Sequence, residues 1–380
     1  MKTDRSTYAR LVEELPYQHI ADTPTVKHYT DWKVFDERLN LPFSTEVDRV
    51  PGVLSHLSFN VILGLDPVIV SRPRGVVIEA LGGEAGNVEP MSLAGVHDKM
   101  SAYHAYRWRS GVIVEVEEGV DFGSMILLSL GGDAYTGHHI ILNIGDEARG
   151  KIYIVDYAGP SKGLKTLVFE GIVGGEADVE VNVASLHSRE HAVYTLGHIA
   201  TGRRSTVASK ILAAGGAMSR VQIDYIVEGE GAVFKGSASS IARPGAKMDI
   251  ILNSINKGAE SSVTLSGRGA VLNGGYMALR GSAIIGREAR WASSEIELHV
   301  TLMGEAARGH AVPILEIHSG DVAKANHAAG ISHVLEEQRF YLKSRGLSDE
   351  EAFNLLVSGI ISYSELADDL AIYTLDVLNV

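Results

Sequence analysis

The 380-residue chain contains no cysteine. That absence excludes disulfides, thiolate zinc sites, cysteine nucleophiles and clusters held by the chain's own thiolates. Proline is scarce, with 10 residues against 41 glycines, a balance that suits many tight turns rather than disordered linkers. Long apolar runs are missing as well. The N-terminal MKTDRSTYARLVEELPYQ has no apolar signal-peptide segment, and the most apolar stretch, Val61 to Val70, is short and interrupted by Asp66. No membrane span is expected, and the expected location is the cytoplasm. Basic charge is also in deficit, with a net charge of −13. A chain this acidic lacks the electrostatic footprint of a general nucleic-acid binder. Beyond Arg345 Lys and Arg disappear, while Asp349, Glu350, Glu351, Glu365, Asp368, Asp369 and Asp376 follow. Such segregation serves solubility or the docking of a basic partner.

Core-forming material is ample, at 45% hydrophobic and 21% charged residues, so the fold needs no covalent staple. The sequence divides into three regions. Residues 1–72 are mixed and partly helical, with helix signals at Ser6–Leu15, closed by Pro16, and at Asp31–Leu39. Residues 73–328 are β-rich. One helix is expected there, at residues 97–109, and about a dozen short strands recur from Gly75 to Thr301, punctuated by Gly, Asn and Asp. Thr201–Gly216 is less regular and leaves room for a short helix. Residues 329–380 carry the helical period. This is too many strands for one immunoglobulin-like sandwich. A large barrel, a propeller or a stacked β-helix all fit, and no clean internal repeat selects among them.

Most motifs in the β region weigh little. His187-Ser-Arg-Glu190-His191 matches H-x-x-E-H, but zinc chemistry needs both histidines on one helical face. The flanks read as strands, where four positions span about 13 Å, so a polar turn or solvated strand face is the expectation. Gly159-Pro-Ser-Lys-Gly163-Leu-Lys165-Thr166 has the wrong spacing for a phosphate loop and reads as a turn. His138-His139 reads as a surface turn. Glu295 and Glu297 alternate like a solvated strand face, so a glycosidase reading has no support from them.

The stretch from Ala311 to Gly359 is the most informative. A strand signal at Ile314-Leu315-Glu316-Ile317 is followed by a polar connection with His318, Asp321 and His327. Together with His310 and Glu316, these imidazoles and carboxylates are competent for iron or zinc; the structural alternative is a loop that solvates a strand end. A helix follows from His333 to Leu342, with Lys343 and Arg345 in its last turn and Gly346 as its stop. Ser348-x-x-Glu351 opens the next helix as a capping box, and Ser362-x-x-Glu365 offers a second.

Here the sequence resembles the SufB/SufD family, scaffold components of the SUF iron–sulfur cluster assembly machinery. The resemblance rests on Val312-Pro313-Ile314-Leu315-Glu316-Ile317, Asp321-Val322, His327-Ala328-Ala329-Gly330, Glu337-Gln338-x-Phe340-Tyr341-Leu342-x-Ser344-Arg345-Gly346, Glu351-Ala352 and Leu355-Leu356 to Gly359. It extends more weakly upstream through Lys99–Val120 and Gly258–Gly286. It implies a mainly β protein: a right-handed parallel β-helix flanked by helical N- and C-terminal regions, not an enzyme. It also implies pairing through the β-helix with a SufB-like subunit or a second copy, and docking of the SufC ATPase on the C-terminal helices, with Phe340, Tyr341, Arg345, Phe353 and Leu356 as the contact residues. The family's ligand histidine falls on His327, with Glu316 and His310 as companions. Two departures separate this chain from the SufB branch: the cluster-related cysteine position is Ala307, and the residue after the matching histidine is Ala328. SufD is the closer resemblance, and any iron or iron–sulfur cluster would be held transiently and shared with a partner. The alternatives are a β-helix polysaccharide lyase or hydrolase, and a structural homodimer with no cluster role.

Overall fold

The computed structural model describes residues 5–23, 27–81, 90–334 and 336–361. Short strands β1 (Val61–Leu63), β2 (Pro67–Ile69) and β3 (Val76–Ala80) precede β4 (Ser110–Val116). From there the chain alternates between two sheets. The first takes β5 (Asp121–Leu130), β7 (Arg149–Ala158), β9 (Asp178–His187), β11 (Thr206–Gly215), β13 (Val233–Ala242), β15 (Ser262–Leu272), β17 (Ala292–Met303) and β19 (Val322–His333). The second takes β4, β6 (Tyr135–Ile144), β8 (Leu164–Val173), β10 (Ala192–Thr201), β12 (Met218–Val227), β14 (Lys247–Asn256), β16 (Tyr276–Ile285) and β18 (Arg308–Ile317). From β4 and β5 onward the neighbouring strands pair in parallel, building a β-solenoid of about 8 turns. Antiparallel pairs stand at the starting end, where β3 runs antiparallel to β4, and β2 to β1.

The pleat explains why these residues make coils. Along β12, Val221, Ile223 and Tyr225 point into the solenoid and stack on equivalent residues of the neighbouring coils, while Arg220, Gln222 and Asp224 point outward. Each fully buried Val, Ile or Leu in such a column contributes roughly 1.5–3 kcal/mol. At one corner the chain turns through a left-handed residue, occupied in successive coils by Glu147 (φ 58°), Glu176 (58°), Arg204 (51°), Gly231 (67°), Glu260 (57°) and Trp291 (59°). A ladder of backbone hydrogen bonds holds this corner, including Glu147 N–H to Gly175 O and Glu176 N–H to Arg203 O, both 2.8 Å.

Two expectations from sequence are corrected. Thr201–Gly216 contains no helix. Its buried residues Val207, Ser209, Ile211 and Ala213 alternate with period two and form β11; small residues had masked that alternation. The polar connection expected around His327 is instead strand β19, which pairs with β17 and closes the stack.

Helices cover the outer faces. The N-terminal region supplies α1 (Arg5–Glu14), α2 (Trp32–Asp36) and α3 (Lys99–Arg107); α3 is opened by a reciprocal Asp98/Ser101 capping box. With Trp32, Phe35, Met100 and Tyr103 this region packs on outward residues of the second sheet such as Val168 and Tyr194. Ion pairs fasten the N-terminal arm across three coils: Arg280 contacts Asp22 at 2.8 Å and Asp249 at 2.6 Å, Arg220 contacts Asp249 at 3.0 Å, and the Thr30 hydroxyl donates to Asp249. At the other end, α4 (Glu336–Ser344) and α5 (Asp349–Ile361) lie on the first-sheet side. Among the described residues no helix is long and apolar enough to cross a membrane. The Ser362–Glu365 box, Leu335 and the acidic residues Glu365, Asp368, Asp369 and Asp376 lie outside the described residues.

Candidate functional site

The final coil is an open end. β18 and β19 are the last strands of their sheets, so each presents one backbone edge to solvent. On β18, Ala311 and Leu315 pack on the core, which turns His310 and Glu316 outward. His310 packs between the rings of Tyr29 (5.0 Å) and Tyr276 (5.7 Å), and burial there lowers its pKa below the ordinary histidine value. Glu316 sits six residues further along, about 20 Å away at strand spacing, and pairs instead with His318 at 3.5 Å. His327 belongs to the opposite sheet. Its register partner is the core residue Ile296, so it takes the inward side of the last coil, exposed at the mouth of the solenoid beside Ala329 and Ile331. His310, Glu316 and His327 therefore do not meet within one chain. Among the described residues no group of three or more His, Cys, Asp or Glu is arranged to hold a metal ion.

The C-terminal helices divide the five contact candidates into two sets. The Ser348/Glu351 box forms as expected: Ser348 N–H donates to Glu351 Oε2 at 2.8 Å, and Glu351 N–H to Ser348 Oγ at 3.2 Å. Lys343 ties the two helices together through Asp349 at 3.0 Å. Helix α5 buries Ala352 and Val357, and sets Phe353 and Leu356 against the apolar outer face of the first sheet. Phe353 and Leu356 thus pack on their own chain. Phe340 and Tyr341 stand 74% and 57% exposed on α4, and the Arg345 guanidinium lies 5.2 Å from the Tyr341 ring.

Two buried polar networks were not legible as such. His138-His139 is no surface turn; both residues are buried on β6 and face opposite sides. Outward, Tyr135, Thr166, His104, His139 and Glu170 form a chain with contacts of 2.9, 2.9, 3.1 and 3.1 Å in that order. One proton assignment satisfies every bond: each group donates to the next, ending on an ionised Glu170. Glu170 also accepts the backbone N–H groups of Met91 (2.6 Å), Leu93 (2.8 Å) and Ala94 (2.8 Å). Burial alone would raise its pKa, but the His139 bond and these amides outweigh burial and lower it. Burial, reinforced by His139, holds His104 neutral, far below the ordinary histidine value.

Inward, a polar plug interrupts the apolar column. Lys165 Nζ lies 3.2 Å from Asp156, His187 lies 3.4 Å from it, and Ser129 donates to it at 3.0 Å, all with buried side chains. Burial opposes the Asp156 charge, yet Lys165 and then His187 hold the carboxyl far below the usual carboxylate range. His187 and His191 are also buried, and a turn at 188–191 separates them, so neither a solvated strand face nor an H-x-x-E-H helix exists there. No simple pattern announces these residues, because a lone His or Lys in a strand is equally compatible with the surface.

The family model described as SUF system FeS cluster assembly, SufBD core domain, matches residues 128–360. An iron–sulfur cluster assembly SufBD family protein of Staphylococcus epidermidis is 28% identical over 277 residues, covering 70% of this chain and 58% of the relative. Homologues of the same description in Staphylococcus aureus (28% over 282 residues) and Staphylococcus saprophyticus (27% over 282 residues) have the same coverage. The chain thus spans 58% of the length of these curated relatives. With the family match running from the early coils through the open coil and both C-terminal helices, the chain belongs to the SufBD family.

Proposed function

We propose that the chain serves iron–sulfur cluster assembly as a SufD-like, non-catalytic scaffold subunit. It pairs through its open coil with a SufB-like chain or a second copy, and seats a SufC-like ATPase on its C-terminal helices. One observation carries this reading: the family match takes in both the open coil and α4–α5, where Ile314, Ile317, Ile331, Phe340, Tyr341 and Leu355 stand exposed. Two strand edges with apolar side chains favour addition of a partner's strands, since backbone groups and apolar area are then satisfied together. Iron or a nascent cluster enters as cargo. Without cysteine the chain offers nitrogen and oxygen donors only, of which His327 stands at the solenoid mouth, and the partner supplies the remaining ligands.

Co-purification with the cognate ATPase tests the docking. The full chain is expected to retain it, and the double substitution Phe340→Ala/Tyr341→Ala to weaken the complex about tenfold or more, as loss of two aromatic anchors does. Absence of any complex with an intact C-terminus would sink the reading. In a reconstituted assembly reaction, unchanged cluster formation by His327→Ala would remove that residue from cargo handling.

A further inference from the structure

Along one corner of the solenoid, the turns that carry the chain from the first sheet to the second stack on one another. Three successive turns occupy residues 159–163, 188–191 and 216–217, and the next occupies 243–246. The third is the shortest. Gly215 (φ +88°) and Gly216 (φ +90°) make its bend, and a Cβ on Gly215 would collide with the His187 carbonyl. Because this corner is cut close while its neighbours project, a cleft of about 780 Å³ opens over it. A space of that size is typical of small-molecule sites.

The lining is basic. In a chain of net charge −13, the cleft gathers Lys162, Arg189 and Arg243 against one carboxylate among the described residues, Glu190. The Arg243 guanidinium reaches in to 3.2 Å from the point where a Gly215 Cβ would stand. The apolar part of the wall comes from Tyr157, Pro160, Leu186 and Pro244. His187 also lines the cleft. It is 1% exposed, its Nε2 is engaged by Ser185 at 2.9 Å and by Asp156, and its Nδ1 has no hydrogen-bond partner.

We propose that this cleft binds a small organic anion of nucleotide size, whose charged oxygens sit among Lys162, Arg189 and Arg243 and whose apolar body lies against Tyr157 and the two prolines. The low-dielectric wall and the clustered cations focus positive potential at this point. Glu190, 3.9 Å from Arg189, competes with the ligand for that guanidinium.

Calorimetric titration of the purified chain with ADP, inorganic pyrophosphate, citrate and adenosine tests the proposal. ADP is expected to bind and adenosine not, with affinity falling as salt rises. Saturation by pyrophosphate but not citrate assigns the anionic group as phosphate; saturation by citrate alone assigns it as carboxylate. Arg189→Ala/Arg243→Ala is expected to weaken binding about tenfold or more, and Glu190→Gln to tighten it about threefold. If the double variant fails to fold, Lys162→Ala/Arg189→Ala, confined to projecting turns, takes its place. Adenosine binding as tightly as ADP, native affinity in the charge-removal variant, or no saturation by any anion below about 10 mM would each overturn the assignment.

Discussion

Glu170 gathers more interactions than any of the residues first singled out for chemistry. Its carboxylate terminates a five-member hydrogen-bond chain and holds three amides of the 91–94 segment against the second sheet. Replacing it by Gln keeps the shape but removes the charge and turns half of the acceptor capacity into donors. Glu170→Gln is expected to lose about 2–4 kcal/mol in urea unfolding, in line with broken buried charge networks. The buried histidines set a pH dependence of definite sign. His104 and His138 are held neutral by burial, and burial lowers His191 to about 4. In the unfolded chain each titrates near 6.5, so between about 6.5 and their folded values the unfolded state binds more protons. Stability therefore falls as pH drops below about 6.5. Melting at pH 7 and pH 5 is expected to show roughly two to three protons taken up on unfolding at the lower pH; a flat profile would contradict the neutral assignment. At the opposite corner, Glu147 is an exposed side chain in left-handed backbone, and Glu147→Gly is expected to gain about 0.5–1 kcal/mol.

At the level of elements, the C-terminal pair is held by one face of one helix. Val357 is fully buried within the apolar cluster that joins α5 to Ile241, Ala270 and Leu272 on the outside of the first sheet. A carboxylate cannot stay in that contact unpaired. Val357→Asp is expected to release α4 and α5, seen as lost amide protection over 336–361, while the solenoid keeps its cooperative melt; global unfolding instead would show that the helices are integral to the coils. What could be read from sequence at this level follows the strength of the local signal. The helices at Arg5–Glu14, Lys99–Arg107 and Asp349–Ile361 carry caps, stops and wide apolar periods, and they stand close to where those signals place them. β11 and β19 were obscured because small residues interrupt their inward rows, Ser209 and Ala213 in β11 and Ala325 and Ala329 in β19, with His327 among the latter, leaving alternation with little contrast. The coil repeat was hidden for a related reason. Leu164 stacks under Ala192 and Ala192 under Met218, intervals of 28 and 26 residues, whereas Tyr276 to Arg308 takes 32. A period that drifts by several residues leaves little self-similarity in sequence, although the strands stack in parallel in space, with register shifts only at Ala292/Ser293 and Asp121/Gly123 among the described pairs. The candidate site suffered differently. Sequence spacing brings His310, Glu316 and His327 near one another along the chain, but strand parity and sheet assignment, which place His310 and His327 on different sheets and faces, need the three-dimensional register.

For the molecule as a whole, stability in a stacked architecture is close to a sum of coil and nearest-neighbour terms. The starting end is covered by the antiparallel strands β1–β2 and β3, while β18 and β19 are open. Amide exchange is expected to be slowest in the central coils, around β8 to β14, and fastest in the final coil, with protection there rising when a partner binds. Equal protection from end to end would mean that the coils unfold as one unit. The ion pairs of the N-terminal arm carry a further consequence, and it concerns time. Asp22 is bonded to Arg280, 258 residues later in the chain. At about 5–20 residues per second, a ribosome exposes the aspartate some 13–50 seconds before it can expose the arginine. For that interval the nascent coils stack without the Asp22–Arg280 clasp. Helix α1 can settle on α3 early, but the Asp22 clasp closes only once Arg280 has emerged, so its closure reports that most of the solenoid has been made.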